Sequence, residues 1–363
     1  MEHSASICLD ETLNRITPDK VTFDMIFTFS TPQRPTPTET PIRVTVESIL
    51  DRPYSEYKDA TEAEQEQKKS WKSVSFSLPS SIAPPLSGSS AMDLSSVQSI
   101  CVYMQTSLES LESSTSSFPI GYLQRSQTKD YATHPIKHVI YPPKASKLYE
   151  QPIVSLSDAL LAAQSNYGLW RPEKLRLAKT FARAVLQFHS TPWLDENWGS
   201  QDILFFNSVD PSSRKSLGPP CLKVRLVKPP VEDELEVHTV LTGWETSVSN
   251  PYLPVPNVLL FRLGVILLEL ALDVPFVDLQ KREQKEGQSK EFIELFTART
   301  LALGPAVRKQ MGSRYSRLVN RCLFCDFGLG GNYELENSGL QNMFYQYVVL
   351  ELEACLKTVY EYE

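Results

Sequence analysis

Before Gly88 the chain contains no glycine. A loop that wraps its backbone N–H groups around phosphates needs glycine for close approach, so the early part of the chain cannot supply one. Positive charge is also scarce: 43 Asp and Glu residues outnumber 36 Lys and Arg, giving a formal net charge of −7. Neutralising nucleic-acid phosphates takes a surplus of cations on one face. No basic stripe interleaved with aromatics occurs, which argues against general nucleic-acid binding. The longest apolar run, Val258 to Leu272, carries Arg262 and Glu269 and falls short of the roughly 20 residues a membrane span needs. It reads as a buried helix. The opening MEHSASICLDETLNR lacks a basic start followed by an apolar run, so no secretory signal is expected. Gly-x-Ser-x-Gly is absent, which excludes the usual hydrolase elbow.

The six cysteines lie at 8, 101, 221, 322, 325 and 355. The one close pair, Cys322 and Cys325, has no second pair and no ligand-spaced histidines beside it. A zinc site wants four ligands, so two half-buried thiols on one helix are expected in a reducing, cytoplasmic setting. No metal or cofactor is implied.

With 41% hydrophobic and 22% charged residues, the chain can bury one large core or two modest ones. Two regions differ in pattern. Residues 1–148 hold short runs rich in β-branched and aromatic residues: Val21 to Ser30, Ile42 to Ile49, Trp71 to Leu78, Val97 to Met104, and Phe118 to Leu123. Ser- and Pro-rich stretches separate them, so they read as strands joined by polar loops. The charged segment Lys58 to Lys69 reads as a solvated helix.

In residues 149–363 helical spacing takes over. Ser155 or Ser157 can cap a short helix through Ala163, and Arg171-Pro172-Glu173 opens a longer one with Pro at a tolerated first position. Leu177, Phe181, Val185 and Phe188 form its apolar face, while Lys174, Lys179 and Arg183 fall largely off it and are expected in solvent. An irregular segment, Thr191 to Ser200, leads to strands at Ile203 to Phe206 and Leu222 to Val227. The run from Val258 to Leu272 is apolar nearly all round, which places it at the centre of its unit. Helices are expected at Ser289 to Leu303, at Ser313 to Cys325, and from about Ser338, with Leu340, Phe344, Tyr347 or Val348, and Leu352 spaced for docking. The run KREQKEGQSKE at 281 to 291 reads as a solvated loop.

This order of helix, irregular loop, strand pair and all-apolar helix resembles a protein-kinase C-lobe. AKTFARAVLQFHST is similar to the kinase helix that precedes the catalytic loop. FRLGVILLELALDVPF is similar to the central kinase helix, and YSRLVNRCL to a later one. The C-terminal part also resembles an uncharacterised fungal family of kinase-like domains through FHSTPWL at Phe188 to Leu194 and Cys-Asp-Phe-Gly at Cys325 to Gly328. Some relatives in that family carry an N-terminal helical domain of the kind found in fungal prion-inhibition and cell-death proteins. The comparison implies a degenerate α+β kinase-like fold, with a small β-rich N-terminal lobe and a mainly helical C-terminal lobe.

It also implies where the chemistry has gone. Phosphoryl transfer relies on a phosphate loop, a lysine on the phosphates, two magnesium-holding groups and an Asp at the substrate hydroxyl. The kinase loop pattern falls on Asp195 to Asp202. Asn197 stands at the Asp position, Gly199 at the Lys position, and Asp202 where a metal-binding Asn would be. The candidate lysine strand, Arg43-Val-Thr-Val-Glu, has no Lys, and Leu226-Val227-Lys228 occupies the place of the magnesium-binding Asp-Phe-Gly. The Asp-Phe-Gly at Asp326 to Gly328 follows the apolar helix and is expected to be a helix end with Gly328 in a left-handed turn.

Asp195 and Asp202 could pair on a cation or hydrogen-bond their own loop. Trp193 and Trp198 could anchor a core or form an aromatic surface. His189 is expected to be structural. The resemblance therefore implies a catalytically inactive regulatory or protein-interaction module in fungal signalling or self/non-self response, with protein partners it does not name. The alternative is an atypical phosphotransferase or nucleotide binder.

Overall fold

The computed structural model describes residues 3–9, 15–17, 20–30, 39–50, 92–97, 100, 103–104, 106–107, 118–124, 136–142, 153–164, 169–191, 193–206, 217–224, 255–283, 290–331 and 333–361. The expected strand at Trp71 to Leu78 and helix at Lys58 to Lys69 lie outside them. The chain forms two compact units, Met1–Glu150 and Gln151–Glu363, and combines β-sheet with helices in an α+β architecture.

The first unit is built on a sheet. Strands β1 (His3–Cys8), β3 (Lys20–Ser30), β4 (Glu39–Leu50), β7 (Ile136–Tyr141) and β6 (Gly121–Gln124) pair antiparallel in the order β1-β3-β4-β7-β6. The short β2 (Arg15–Thr17) pairs with β3, and β5 (Met92–Asp93) adds a parallel edge beside β6. Alternation along β3 and β4 puts Phe23, Met25, Val44 and Val46 on one face, where Ile7 and Ile140 join them by register. The opposite face carries a buried carboxylate, Asp24, which accepts from Arg43 (2.6 Å) and from the Thr45 hydroxyl (2.7 Å). Arg43, on the strand considered for a phosphate-binding lysine, is thus engaged by its neighbouring strand.

Two readings of this unit need correcting. Residues 100, 103, 104, 106 and 107 within and just after Val97 to Met104 are helical, not extended. Ile100 and Met104 stand four apart, which is helical spacing, and Met104 is fully buried. The sequence reading also passed over β1 and β7; both alternate short polar and apolar residues too weakly to stand out.

The second unit is organised by helix α3 (Val258–Leu272). Asn257 caps its start, accepting from the Leu260 amide at 2.9 Å, and eleven of its residues are buried, from Leu260 to Ala271. Helix α7 (Ser313–Phe324) crosses it closely. A Cβ added at Gly264 would come within 2.7 Å of the Leu323 side chain and 3.1 Å of its backbone nitrogen, so glycine is what admits the contact. The buried Tyr315 hydroxyl donates to the Leu267 carbonyl at 2.9 Å. Around this pair lie α1 (Leu156–Gln164), α2 (Arg171–Phe188), α4 (Phe276–Glu283), α5 (Lys290–Leu303), α6 (Pro305–Met311), α8 (Ser338–Phe344) and α9 (Leu350–Glu361), with a three-stranded run β8 (Val154–Ser155), β9 (Ile203–Phe205) and β10 (Cys221–Val224).

Helix α1 starts where Ser155 accepts from the Asp158 amide and donates to its carboxylate. Leu177, Phe181, Val185 and Phe188 of α2 are all buried, as their spacing predicts. Between α8 and α9 a π-turn, Tyr345–Val349, inserts one residue into the ladder, so Phe344, Val348, Val349 and Leu352 all turn inward and Tyr347 turns out. Helices α4 and α6 are additions to the sequence reading. Within the supposed loop 281 to 291, residues 281–283 end α4 and 290–291 begin α5.

The lysines and arginine of α2 also differ from expectation. Lys174 is buried and meets Asp273 at 2.5 Å, while Arg183 and Lys179 reach Glu353 of α9 at 2.8 and 3.9 Å. Helical spacing reveals which residues leave one face, but α2 has neighbours on more than one side. Asp273 ends α3 in the left-handed region (φ 54°) and accepts from the Leu169 amide as well. It therefore ties the C-terminus of α3 to the N-terminus of α2. Asp273→Asn keeps the left-handed preference and the Leu169 bond but strands the Lys174 charge. Chemical denaturation is expected to show a loss of about 3 kcal/mol, most of it recovered in the Lys174→Met/Asp273→Asn double variant.

Candidate functional site

The segment between α2 and β9 is the candidate site, because sequence reasoning placed Asp195, Asn197 and Asp202 there. Each is positioned by local chain chemistry. The Asp195 carboxylate accepts from the Asn197 amide at 2.7 Å, and its carbonyl accepts from Trp198 N at 3.1 Å, which closes an Asx turn. Asp202 closes a second turn: its carboxylate accepts from Gly199 N at 3.1 Å and its amide donates to the Gly199 carbonyl at 3.0 Å. The Asp202 carbonyl also accepts from Lys223 N of β10 at 2.7 Å. Asn197 is exposed at the tip. The two carboxylates therefore shape their own turns. Among the described residues no group of three or more His, Cys, Asp or Glu side chains is placed to hold a metal ion.

The flanking aromatics divide. Trp198 is 1% exposed and meets Phe181 of α2 edge-on, with ring centroids 6.4 Å apart, so it anchors the loop in the core. Trp193 is half-buried. His189 is held at both ring nitrogens: Nδ1 lies 3.0 Å from the Leu186 carbonyl and Nε2 3.3 Å from Nε2 of Gln341. Gln341 also donates to the Leu335 carbonyl at 2.7 Å. His189 thus fastens the end of α2 to α8.

The sequence reading missed the group that secures this loop. Glu269 of α3 is 3% exposed, and its Oε1 accepts from the Ser200 hydroxyl (2.8 Å) and the Phe276 amide (2.7 Å). One carboxylate thereby joins the candidate loop, the central helix and the start of α4. Its Oε2 is buried without a partner among the described residues. Burial pushes the Glu269 carboxyl up to about 7, opposed by the bonds from Phe276 and Ser200. The only signal in the sequence was a lone acid in a run whose one other charged residue is Arg262.

The Cys-Asp-Phe-Gly near the end is a helix terminus. Cys325 ends α7 in the left-handed region (φ 50°), three residues before the positive φ of Gly328, and Phe327 is buried against Phe344 at 6.0 Å. Asp326 is exposed. Cys322 and Cys325 are both buried rather than half-buried, since α7 lies against α3 and its end is covered. Burial pushes both thiols up, Cys325 to about 11, which makes them poor nucleophiles and ligands.

Glu269 sets a pH dependence. The folded state holds its proton to higher pH than the unfolded chain, so the stability linked to that proton is complete below pH 4.5. It is lost as pH rises through about 7. Glu269→Gln, neutral throughout, is expected to unfold at higher denaturant than the parent at pH 8, by roughly 1–3 kcal/mol, and to match it near pH 4.5. An equal difference at both pH values would rule out this assignment.

No curated protein matches this sequence. Residues 62–359 match a family whose description assigns no activity. That match spans well over half of the sequence, and the chain belongs to this family, the Domain of unknown function (DUF7580).

Proposed function

We propose that this protein is a catalytically inactive, kinase-like module that acts by binding another protein, in the setting of fungal signalling or self/non-self response. The reading is supported by the order of elements in the second unit: a long helix, an irregular loop, paired short strands and an apolar central helix. It is carried by one observation at the loop. Asp195 and Asp202, the carboxylates left to do phosphoryl chemistry, accept hydrogen bonds from the backbone amides of Asn197 and Gly199.

An amide in place of the carboxylate at Asn197 cannot take a proton from a substrate hydroxyl. Gly199 supplies no cation for the transferred phosphoryl group. Arg43 is ion-paired with Asp24, and Phe327 of the displaced Asp-Phe-Gly is a core residue. A lobe that keeps its packing without these groups offers a surface rather than a reaction.

Isothermal titration with Mg-ATP tests the reading. No saturable binding is expected up to millimolar nucleotide, and no phosphate should reach a generic peptide from radiolabelled ATP. Micromolar binding abolished by Asp202→Ala would instead favour an atypical phosphotransferase.

A further inference from the structure

Between Glu294 and Asp326 the chain has no acidic residue, yet it carries Arg299, Arg308, Lys309, Arg314, Arg317 and Arg321. In a protein of net charge −7 this is a local reversal of sign. Helix α7 starts within it. Its first turn has no acid and no side-chain cap; Arg314 stands in that turn, at the end where the helix dipole disfavours cations, and Arg317 stands in the next. Arg171, the first residue of α2, joins them across the fold. Its guanidinium donates to the Met311 carbonyl at 2.9 Å and lies against Gly312, where an added Cβ would be 3.4 Å away.

Arg171, Arg314 and Arg317 are exposed, and none forms an ion pair with a carboxylate among the described residues. All three act on one point, the Cys355 thiol of α9. Burial pushes that thiol up, Arg314 pulls it down, Glu351 pushes it up, and Arg171 and Arg317 pull it down. Arg314 and Arg317, three residues apart, share one face of α7, and the Arg171 guanidinium lies against Gly312 just before that helix, so three guanidinium groups gather at its start.

We infer that Arg171, Arg314 and Arg317 form a binding site for a phosphate monoester on an acidic peptide. Guanidinium forks match the oxygens of a phosphoryl group two at a time, and the α7 terminus adds positive potential behind them. The row continues along one face of α7 to Arg321, whose guanidinium lies 4.2 Å from the centroid of the partly exposed Tyr347 ring. From Arg314 to Arg321 the helix rises about 10 Å, the span of about three extended residues. That length suits a phosphoresidue followed by a second acid two or three positions on. The absence of a general basic surplus disfavours nucleic acid, which needs many phosphate contacts. The inference stands apart from the kinase-like reading, since it uses a different surface of the second unit and no residue of the loop.

Cys355 is a built-in reporter. Among the described cysteines it alone is partly exposed, so the full chain carrying Cys101→Ser can be alkylated with iodoacetamide and Cys355 followed by mass spectrometry. The probes are a phosphoserine peptide with glutamate three residues later, its unphosphorylated twin, inorganic phosphate, and sodium chloride at matched ionic strength. The phosphopeptide is expected to slow Cys355 alkylation saturably, by about fivefold, as its charge cancels that of the arginines and its bulk covers the thiol. Arg314→Gln/Arg317→Gln should react more slowly without ligand and lose the protection, with an unchanged circular dichroism spectrum. A rate that follows ionic strength alone overturns the inference. So does equal protection by the unphosphorylated twin, or by inorganic phosphate at the same concentration, which would leave a plain anion site with no role for peptide.

Discussion

A buried apolar helix that carries carboxylates at its C-terminal end is the constraint on which the second unit rests. Most of α3 is held by nonpolar contact, which has no direction and would tolerate sliding or rotation. Glu269 and Asp273 remove that freedom. Each carboxylate there accepts from groups on other elements: Ser200 and the start of α4 for Glu269, Lys174 and the Leu169 amide for Asp273. The cost of leaving such groups unpaired fixes the register of α2, the candidate loop and α4 against the core. Gly264 and Tyr315 add a second fixed point by letting α7 approach closely and bond to the α3 backbone.

The loop from His189 to Asp202 illustrates how the same residues can be structural or chemical according to what their oxygens face. Asp195 and Asp202 turn toward backbone amides, Trp198 toward Phe181, and Ser200 toward Glu269. Every one of these contacts lowers the freedom of the loop. This is why the proposal of an inactive module rests on hydrogen-bond partners rather than on missing letters in a motif. The arginine cluster is the reverse case. Arg171 and Arg314 stand at helix starts, where the dipole disfavours cations, and the cluster lacks carboxylate partners among the described residues, the condition in which an anion supplied from outside stabilises the arrangement most.

Helical spacing and caps were legible without coordinates. Pro172 near the start of α2, Ser155 before α1, and the face from Leu177 to Phe188 follow from local rules that involve only near neighbours in the chain. Strands were harder. β3 and β4 stood out because they alternate strongly over many residues, whereas β1 and β7 are short and owe their place to pairing with distant partners. Ile100 and Met104 fit either period until burial decided between them.

What the sequence determined alone was the mixed α+β character, the centrality of 258–272, and the lack of a glycine-rich loop or a strand lysine for gripping phosphates in the early chain. These follow from composition and from periodicities set by the backbone itself. The tertiary structure decided which charges are paired and which are not. Lys174 and Glu269 look like any solvated lysine and any interruption of an apolar run until residues about 99 and 69 positions away are brought beside them. Arg171 joins Arg314 and Arg317 only because α2 begins where α6 ends. Electrostatic roles depend on distance through space, and that distance is fixed by packing rather than by neighbouring letters.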